Sequence, residues 1–253
     1  MTHRMRVLAT LGSLLWAAPA LAQDQAPGAP VKTLPPLRIS GNVSFGLGQT
    51  SGNKDTLTFN GSYDLKFDQR PRNVLKSNGL LLYGKTGGEL STQQYRMWAR
   101  DEYTFDTRAF AYAEVRYLHD LFKGIRYLVA PTAGFGYKIV NDKRMTLSLS
   151  AGAGGAWEQD YDVPLATTGA VTFEEKFTRK ISAGATIGQS FSTLWNIADF
   201  GDALYLLGAN VTSTLVGKAQ LKIEVLDSYK TRPPLPGLLR NDLALITSIV
   251  YKF

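Results

Sequence analysis

From residue 37 to the end of the chain, apolar and polar side chains alternate in one stretch after another. In the first, Ile39, Val43, Phe45 and Leu47 are set against Ser40, Asn42 and Ser44. In the second, Leu57, Phe59, Tyr63, Leu65 and Phe67 alternate with Thr58, Asn60, Ser62, Asp64 and Lys66. Further on, Met145, Leu147, Leu149, Ala151 and Trp157 face away from Thr146, Ser148 and Ser150. A period of two marks a β-strand with one apolar and one polar face. About twelve strands are predicted, near 38–49, 56–67, 74–85, 92–105, 109–119, 125–139, 145–158, 170–178, 181–192, 203–214, 219–229 and 243–253. Most have the roughly ten residues that a tilted strand needs to cross a bilayer. The apolar set falls on odd numbers almost throughout. A soluble antiparallel sandwich also alternates, so alternation alone does not choose between the two.

Two further regularities choose. Connections after even strands are short (68–73, 106–108, 140–144, 179–180, 216–218), and several after odd strands are longer (120–124, 160–169, 193–202, 230–242), with 50–55 the exception. Short periplasmic turns and longer outer loops are the habit of outer-membrane barrels, and an even strand count puts both barrel ends in the periplasm. Aromatic residues also sort to strand ends. With the first strand running outward, Phe67, Tyr103, Phe105, Tyr137, Phe177, Tyr251 and Phe253 fall at periplasmic ends, and Tyr83, Tyr95, Tyr117, Tyr127 and Trp157 at outer ends. Amphipathic rings collect in this way at the two bilayer interfaces. The predicted fold is therefore all-β: a transmembrane antiparallel up-and-down β-barrel of about 12 strands over residues 37–253. Asp101 and Glu175 break the odd-number rule, through a position at the rim or a local β-bulge. Tyr205, Leu206 and Leu207 are apolar on both faces, which leaves ten or fourteen strands as alternatives.

Ahead of the barrel, residues 1–22 have the form of a cleaved signal peptide, with Arg4 and Arg6, an apolar centre, and Ala20-Leu21-Ala22 before Gln23. Residues 23–36 carry Pro27, Pro30, Pro35 and Pro36 and read as an extended periplasmic lead-in. The chain has no cysteine, which excludes disulfides, thiol catalysis and a lipoprotein anchor. After the leader there is no apolar run long enough for a helical span. Net charge is +7 and falls to +5 when Arg4 and Arg6 leave with the leader. That mild excess suits lipopolysaccharide phosphates and is too dispersed to suggest nucleic acid.

The last strand alternates Leu243, Leu245, Ile249, Tyr251 and Phe253 with Ala244, Ser248 and Lys252. It resembles the closing strand of bacterial outer-membrane barrels, which implies that Ile249, Tyr251 and Phe253 act as a signal to the barrel-assembly machinery. The run Gly41-Asn42-Val43-Ser44-Phe45-Gly46-Leu47-Gly48-Gln49-Thr50-Ser51-Gly52-Asn53 is similar to the N-terminal hairpin of the YdiY-like salt-induced outer-membrane proteins. Asp120-Leu121-Phe122-Lys123-Gly124-Ile125 resembles that family's mid-chain loop, and Gly134-Phe135-Gly136-Tyr137-Lys138 with Leu147-Ser148-Leu149-Ser150-Ala151-Gly152 its central hairpin. The resemblance spans roughly residues 41–253. It implies an outer-membrane location, a barrel fold and a tie to salt stress, and it carries over no catalytic residues.

Even positions of the third to fifth strands hold the densest charge: Lys76, Arg96, Arg100, Glu102, Glu114 and Arg116. Two readings stand side by side. These side chains fill a narrow interior with paired charges, or they line a small pore whose selectivity they set. Small residues on the seventh and ninth strands (Ser148, Ser150, Gly152, Gly154; Ser182, Gly184, Thr186, Gly188) predict space on one side of the lumen. The enzymatic alternative is an outer-membrane lipid-modifying enzyme using His119 at the outer rim. Such chemistry needs a nucleophile within hydrogen-bond reach, and His119-Asp120-Leu121 offers no serine on the same face. Asp160, Asp162, Asp199 and Asp202 are outer-loop acids that could weakly hold a divalent cation, but no metal, cofactor or catalytic residue is assigned. The 231–240 loop, rich in proline and leucine, reads as a lid, as a lipopolysaccharide contact through Arg232 and Arg240, or as a stiff turn.

Overall fold

The computed structural model describes residues 37–50, 56–70, 72–121, 123–234 and 237–253. The predicted leader, the lead-in and the 51–55 turn lie outside the described residues. Twelve strands form: β1 (Arg38–Thr50), β2 (Thr56–Arg70), β3 (Asn73–Thr86), β4 (Glu89–Thr104), β5 (Ala109–Asp120), β6 (Ile125–Asn141), β7 (Met145–Asp160), β8 (Ala166–Lys180), β9 (Ala185–Asn196), β10 (Asp199–Val216), β11 (Ala219–Lys230) and β12 (Asn241–Lys252). Each pairs antiparallel with its sequence neighbours, and β1 pairs with β12 to close the barrel. The closing ladder is short, running from Asn42–Lys252 to Phe45–Ile249, with Gly41 and Phe253 exchanging backbone hydrogen bonds at its end. Leu37 and Phe253 lie at one end of the barrel, called here the near end; the opposite end is the far end.

Odd positions face out and even positions face in. Along β12, Leu243, Leu245, Ile249 and Tyr251 are exposed while Ile246, Ser248 and Val250 are buried. The outward surface is apolar over most of its height, from Phe45 and Leu47 to Val115, Phe135, Val211 and Ile223. A bilayer covers such a surface. Tyr103, Phe105, Tyr137, Tyr251 and Phe253 are exposed at the near end. Toward the far end, Trp195, Tyr205 and Tyr229 add a cluster, with the Trp195 indole N–H donating to the Tyr205 hydroxyl at 3.2 Å. β10 has a definite register: Leu204 and Leu206 point inward, Tyr205 and Leu207 outward.

Three expectations need correction. First, the loop-length contrast is weaker than the sequence pattern suggests. β8 begins at Ala166 and pairs with an extended β7 down to Glu158–Ala166, and only residues 197–198 separate β9 from β10. At the far end, Gly87 and Gly88 make a two-residue hairpin, both with positive φ (61° and 84°), the backbone a tight right-twisted hairpin requires. Only the 231–240 connection is long. Second, β9 starts at Ala185, so Ser182 and Gly184 belong to a turn and not to the lumen wall. Third, parity fails at Ile125, which is odd yet 0% exposed, because a register shift between Ile125 and Tyr127 turns it inward. Asp101 and Glu175 do not sit at bulges. Asp101 accepts from Asn73 (2.9 and 3.0 Å) near the near-end rim, and Glu175 accepts from Gln189 (3.4 Å).

Candidate functional site: an occluded lumen

The interior is built in layers along the barrel axis. The layer nearer the near end is ionic. Alternation on β4 sends Trp98, Arg100 and Glu102 inward, and on β5 it sends Tyr112, Glu114 and Arg116 inward. Arg100 is 2% exposed, donates to Glu114 through Nε at 2.5 Å and pairs with Glu174 of β8. Arg116 pairs with Glu114 and lies 3.7 Å from Glu174. Lys176 is 2.9 Å from Glu174, and Lys76 is 2.6 Å from Glu102. The Arg100 guanidinium also lies over the Tyr112 ring at 4.3 Å, and the Lys176 ammonium over Trp98 at 4.4 Å. Strands β4 and β8 are four places apart in the sheet, so these pairs bridge the lumen. A charge inside a barrel has little water to solvate it, and a partner is what keeps it ionised there.

Of the residues singled out from sequence, the structure joins Lys76, Arg100, Glu102, Glu114 and Arg116 in this network and leaves Arg96 out of it. Glu174 and Lys176, which complete the network, were missed. Their even numbers marked them as inward-facing, but nothing in the pattern marked β8 as lying within reach of β4 across the interior. The space expected beside β7 is filled. Gly136 lies against the Phe110 ring, and a Cβ at Gly152 would stand 2.5 Å from the Tyr112 hydroxyl.

Toward the far end the inward residues become aliphatic. Leu118, Ile125, Leu128, Ala130, Ala156, Ala170 and Leu204 form one buried cluster, flanked by Leu194 and Leu206. They come from both sides of the barrel and meet across it. Above this cluster, two further lysines cross the mouth. Lys123, 1% exposed, extends from the β5–β6 connection to Asp242 at the start of β12 (2.8 Å) and to the Arg240 carbonyl (3.1 Å). Its own connection is pinned by Asp120, which accepts from the Lys123 backbone N–H at 3.1 Å and from Gln94 at 2.5 Å. Lys230 of β11 reaches Glu158 of β7 at 2.5 Å, with Asp202 at 4.0 Å.

The long far-end loop is tied down on both sides. Arg232 pairs with Asp199, the Thr231 hydroxyl donates to the Gly201 carbonyl at 2.8 Å, and Arg240 offers its carbonyl to Lys123. Leu235 lies outside the described residues, and Leu239 is exposed. His119 faces outward. Its ring stacks on Tyr95 at 5.2 Å and its Nδ1 lies 2.8 Å from the Arg126 carbonyl oxygen. No hydroxyl stands in a hydrogen bond to it among the described residues.

Between the ionic and aliphatic layers lies a cavity of about 290 Å³. Its wall draws on β2–β6 and β8–β11, with the largest shares from β9 and β10, and includes Ser62, Asn78, Ser190, Ser192, Asn210 and Lys222.

A closed sheet with an apolar exterior and a charged, partly hollow interior defines a membrane-type β-barrel with an occluded lumen. A match over residues 43–253 shows that the chain belongs to the family described as protein of unknown function, DUF481. No curated protein matches it. Among solved structures, the COG4313 outer membrane channel from Pseudomonas putida F1 is similar at 14% identity and a TM-score of 0.50, covering 89% of this chain and 99% of that one. The NanC porin is similar at 7% identity and a TM-score of 0.48, covering 84% and 96%. The outer membrane channel DcaP of Acinetobacter baumannii is similar at 10% identity and a TM-score of 0.42, covering 86% and 97%. At 14% identity the likeness to the COG4313 channel speaks for the fold alone.

Proposed function

We propose that this chain is a non-enzymatic protein of the bacterial outer membrane whose barrel is a narrow solute channel, held shut at its outer mouth. On this reading the far end faces outside and the near end the periplasm, in keeping with the export leader predicted over residues 1–22. The apolar outward face and its aromatic ends support the membrane setting. Outer-membrane lipid and lipopolysaccharide are then its surroundings. The barrel-assembly machinery is its partner during insertion, with Ile249, Tyr251 and Phe253 on the outward face of the closing strand.

The observation that carries the channel reading is Lys123. It leaves the β5–β6 connection, crosses the mouth and ties to Asp242 and Arg240 on the opposite wall, above the aliphatic cluster and the cavity beneath it. The latch is a few polar contacts rather than a folded plug, and beneath it, among the described residues, only side chains of the aliphatic cluster and the Arg100 network cross the lumen, so once it breaks a path opens by side-chain movement alone. It also gives the family's salt-stress resemblance a physical form. Asp242 is partly exposed while Lys123 is buried, so ions screen the pair only in part, and chiefly when the Debye length falls to about 3 Å near 1 M salt; high salt loosens the latch.

The test is single-channel recording of the mature protein in a planar bilayer. The wild-type barrel should open briefly and rarely, more often as salt rises. Lys123→Ala should raise the open probability at least severalfold. If the wild type and Lys123→Ala are both silent, with folding verified by a heat-dependent gel shift, the barrel is a structural one.

A further inference from the structure

The geometry points to a binding site in the lumen cavity for a small amphipathic anion, a medium-chain carboxylate, with Arg96 holding the charged head and the far-end leucines the chain. The site rests on the barrel reading but does not depend on conduction.

Arg96 is the odd cation of the interior. The other basic side chains that line the cavity each have a carboxylate close by: Arg116 has Glu114, Lys176 has Glu174 at 2.9 Å and Lys222 has Glu224 at 2.8 Å. Arg96 has no ion pair within 4 Å among the described residues. The carboxylates whose charge reaches it, Glu224 and Asp120, are engaged by Lys222 and Gln94 respectively. Arg96 is half-buried in the cavity wall, and with no carboxylate within 4 Å its guanidinium keeps donors for an entering anion, which must keep clear of Asp64, Glu174 and Glu224 on the same cavity. Its planar fork suits the two oxygens of a carboxylate.

The setting of Arg96 supplies the second half of the specificity. Leu80 of β3 and Leu118 of β5 are its direct partners on the two neighbouring strands. Arg96 therefore stands at the height where the charged layer gives way to the aliphatic one. Leu128, Leu194, Leu204 and Leu206 continue the apolar wall from there toward the far end, and all line the cavity. A polar solute would find acceptors and donors on Ser62, Asn78, Ser190 and Asn210 but nothing for them on the leucine side. A plain hydrocarbon would leave Arg96 unpaired. Only a molecule with both an anionic head and an apolar tail satisfies the two walls together. The volume, about 290 Å³, lies just below the roughly 300–1,000 Å³ of small-molecule pockets, which favours a short chain over a membrane lipid.

The test is calorimetric titration of the barrel in phosphatidylcholine nanodiscs with butanoate, hexanoate, octanoate, octanol and inorganic phosphate, empty discs serving as the blank. Octanoate should bind above the blank. Affinity should rise about fourfold per methylene from butanoate to octanoate, the gain expected when each methylene leaves water. Octanol and phosphate should each bind at least tenfold more weakly than octanoate. Arg96→Gln should lose octanoate binding at least tenfold while keeping the wild-type gel shift. Leu204→Ser should flatten the chain-length series without abolishing binding of the head. No octanoate binding above the blank by the wild type would overturn the site, as would equal binding by Arg96→Gln. Octanoate binding by a barrel that never conducts would leave the site standing and remove the channel, and a conducting barrel that binds no carboxylate would do the reverse.

Discussion

The two sides of the lumen are built from the same alternating strands and come out differently. On the β4–β8 side, rings and paired charges fill the interior: Phe110 lies on Gly136, Tyr112 against Gly152, and Arg100 spans to Glu174. On the side formed by β9–β11 with β2 and β3, short polar residues such as Ser62, Ser190 and Ser192 leave a cavity, whose facing wall is made by Arg96, Arg116 and Leu118 of β4 and β5. Glycines occur on both sides, so small residues alone do not make a pore. What decides is whether a neighbouring strand carries a side chain large enough to use the space. The filled side is thus expected to carry stability, and the hollow side to carry passage and binding.

The largest expected effect tests the filled side. Arg100→Ala removes the residue shared by Glu114 and Glu174 and leaves two buried carboxylates short of a partner. Breaking a buried ionic network from one side costs about 3–5 kcal/mol, and chemical unfolding in lipid vesicles should show a loss of that size. Asp64→Asn, on the hollow side, keeps an acceptor for the Asn78 amide and should cost no more than about 0.5 kcal/mol, in the range of substitutions that disturb no buried feature. Equal losses from the two would erase the contrast.

That contrast was only partly legible beforehand. Strand number and the inward or outward sense of most residues followed from period-2 alternation, because lipid on one side and a polar lumen on the other impose it on every strand. The extension of β8 back to Ala166 was hidden, because Ala166-Thr167-Thr168-Gly169 shows no alternation and is held by pairing with β7. Ile125 was assigned to the wrong face because a register shift follows it. For the site, alternation placed Glu174 inside, but its meeting with Arg100 depends on which strands oppose each other across the barrel. That is a property of closure and not of any one segment. Lys123 was overlooked for a different reason: a lysine in a short loop is usually solvated, and only the folded mouth shows that it reaches the opposite wall.

A middle-sized effect compares two glycines. Gly152→Val puts two methyl groups where the Tyr112 hydroxyl and the Ala133 carbonyl already crowd the Cβ position, at 2.5 and 2.6 Å. Overpacking of this kind typically costs about 1–3 kcal/mol, and the same unfolding assay should register it. Gly188→Val on β9 has the Asn210 side chain as its nearest neighbour, at 2.9 Å, and that side chain can turn into the cavity it lines. It should be milder by at least about 1 kcal/mol, within the spread seen when a site can relax. A Gly188→Val loss as large as that of Gly152→Val would mean that the β9 side is packed as tightly as the β7 side.

The smallest effect lies outside both sides, in the near-end turns that set the register of the filled wall. Asp106 accepts from the backbone N–H groups of Arg108 (2.6 Å) and Ala109 (2.7 Å), and Asp142 from those of Arg144 and Met145, both at 2.7 Å. These bonds hold both carboxyls below the usual carboxylate range. A depressed folded-state pKa stabilises the barrel above the ordinary pKa of about 3.9, and the benefit is lost as pH falls through the lowered value. Asp106→Ala and Asp142→Ala should therefore unfold slightly more easily than the wild type at pH 7, and the difference should shrink as pH drops below the usual carboxylate range. A gap that stayed constant from pH 7 to pH 3 would mean that the turns are held by backbone shape and not by charged acceptors. The filled wall would then owe its register to the Arg100 network and the packed rings alone.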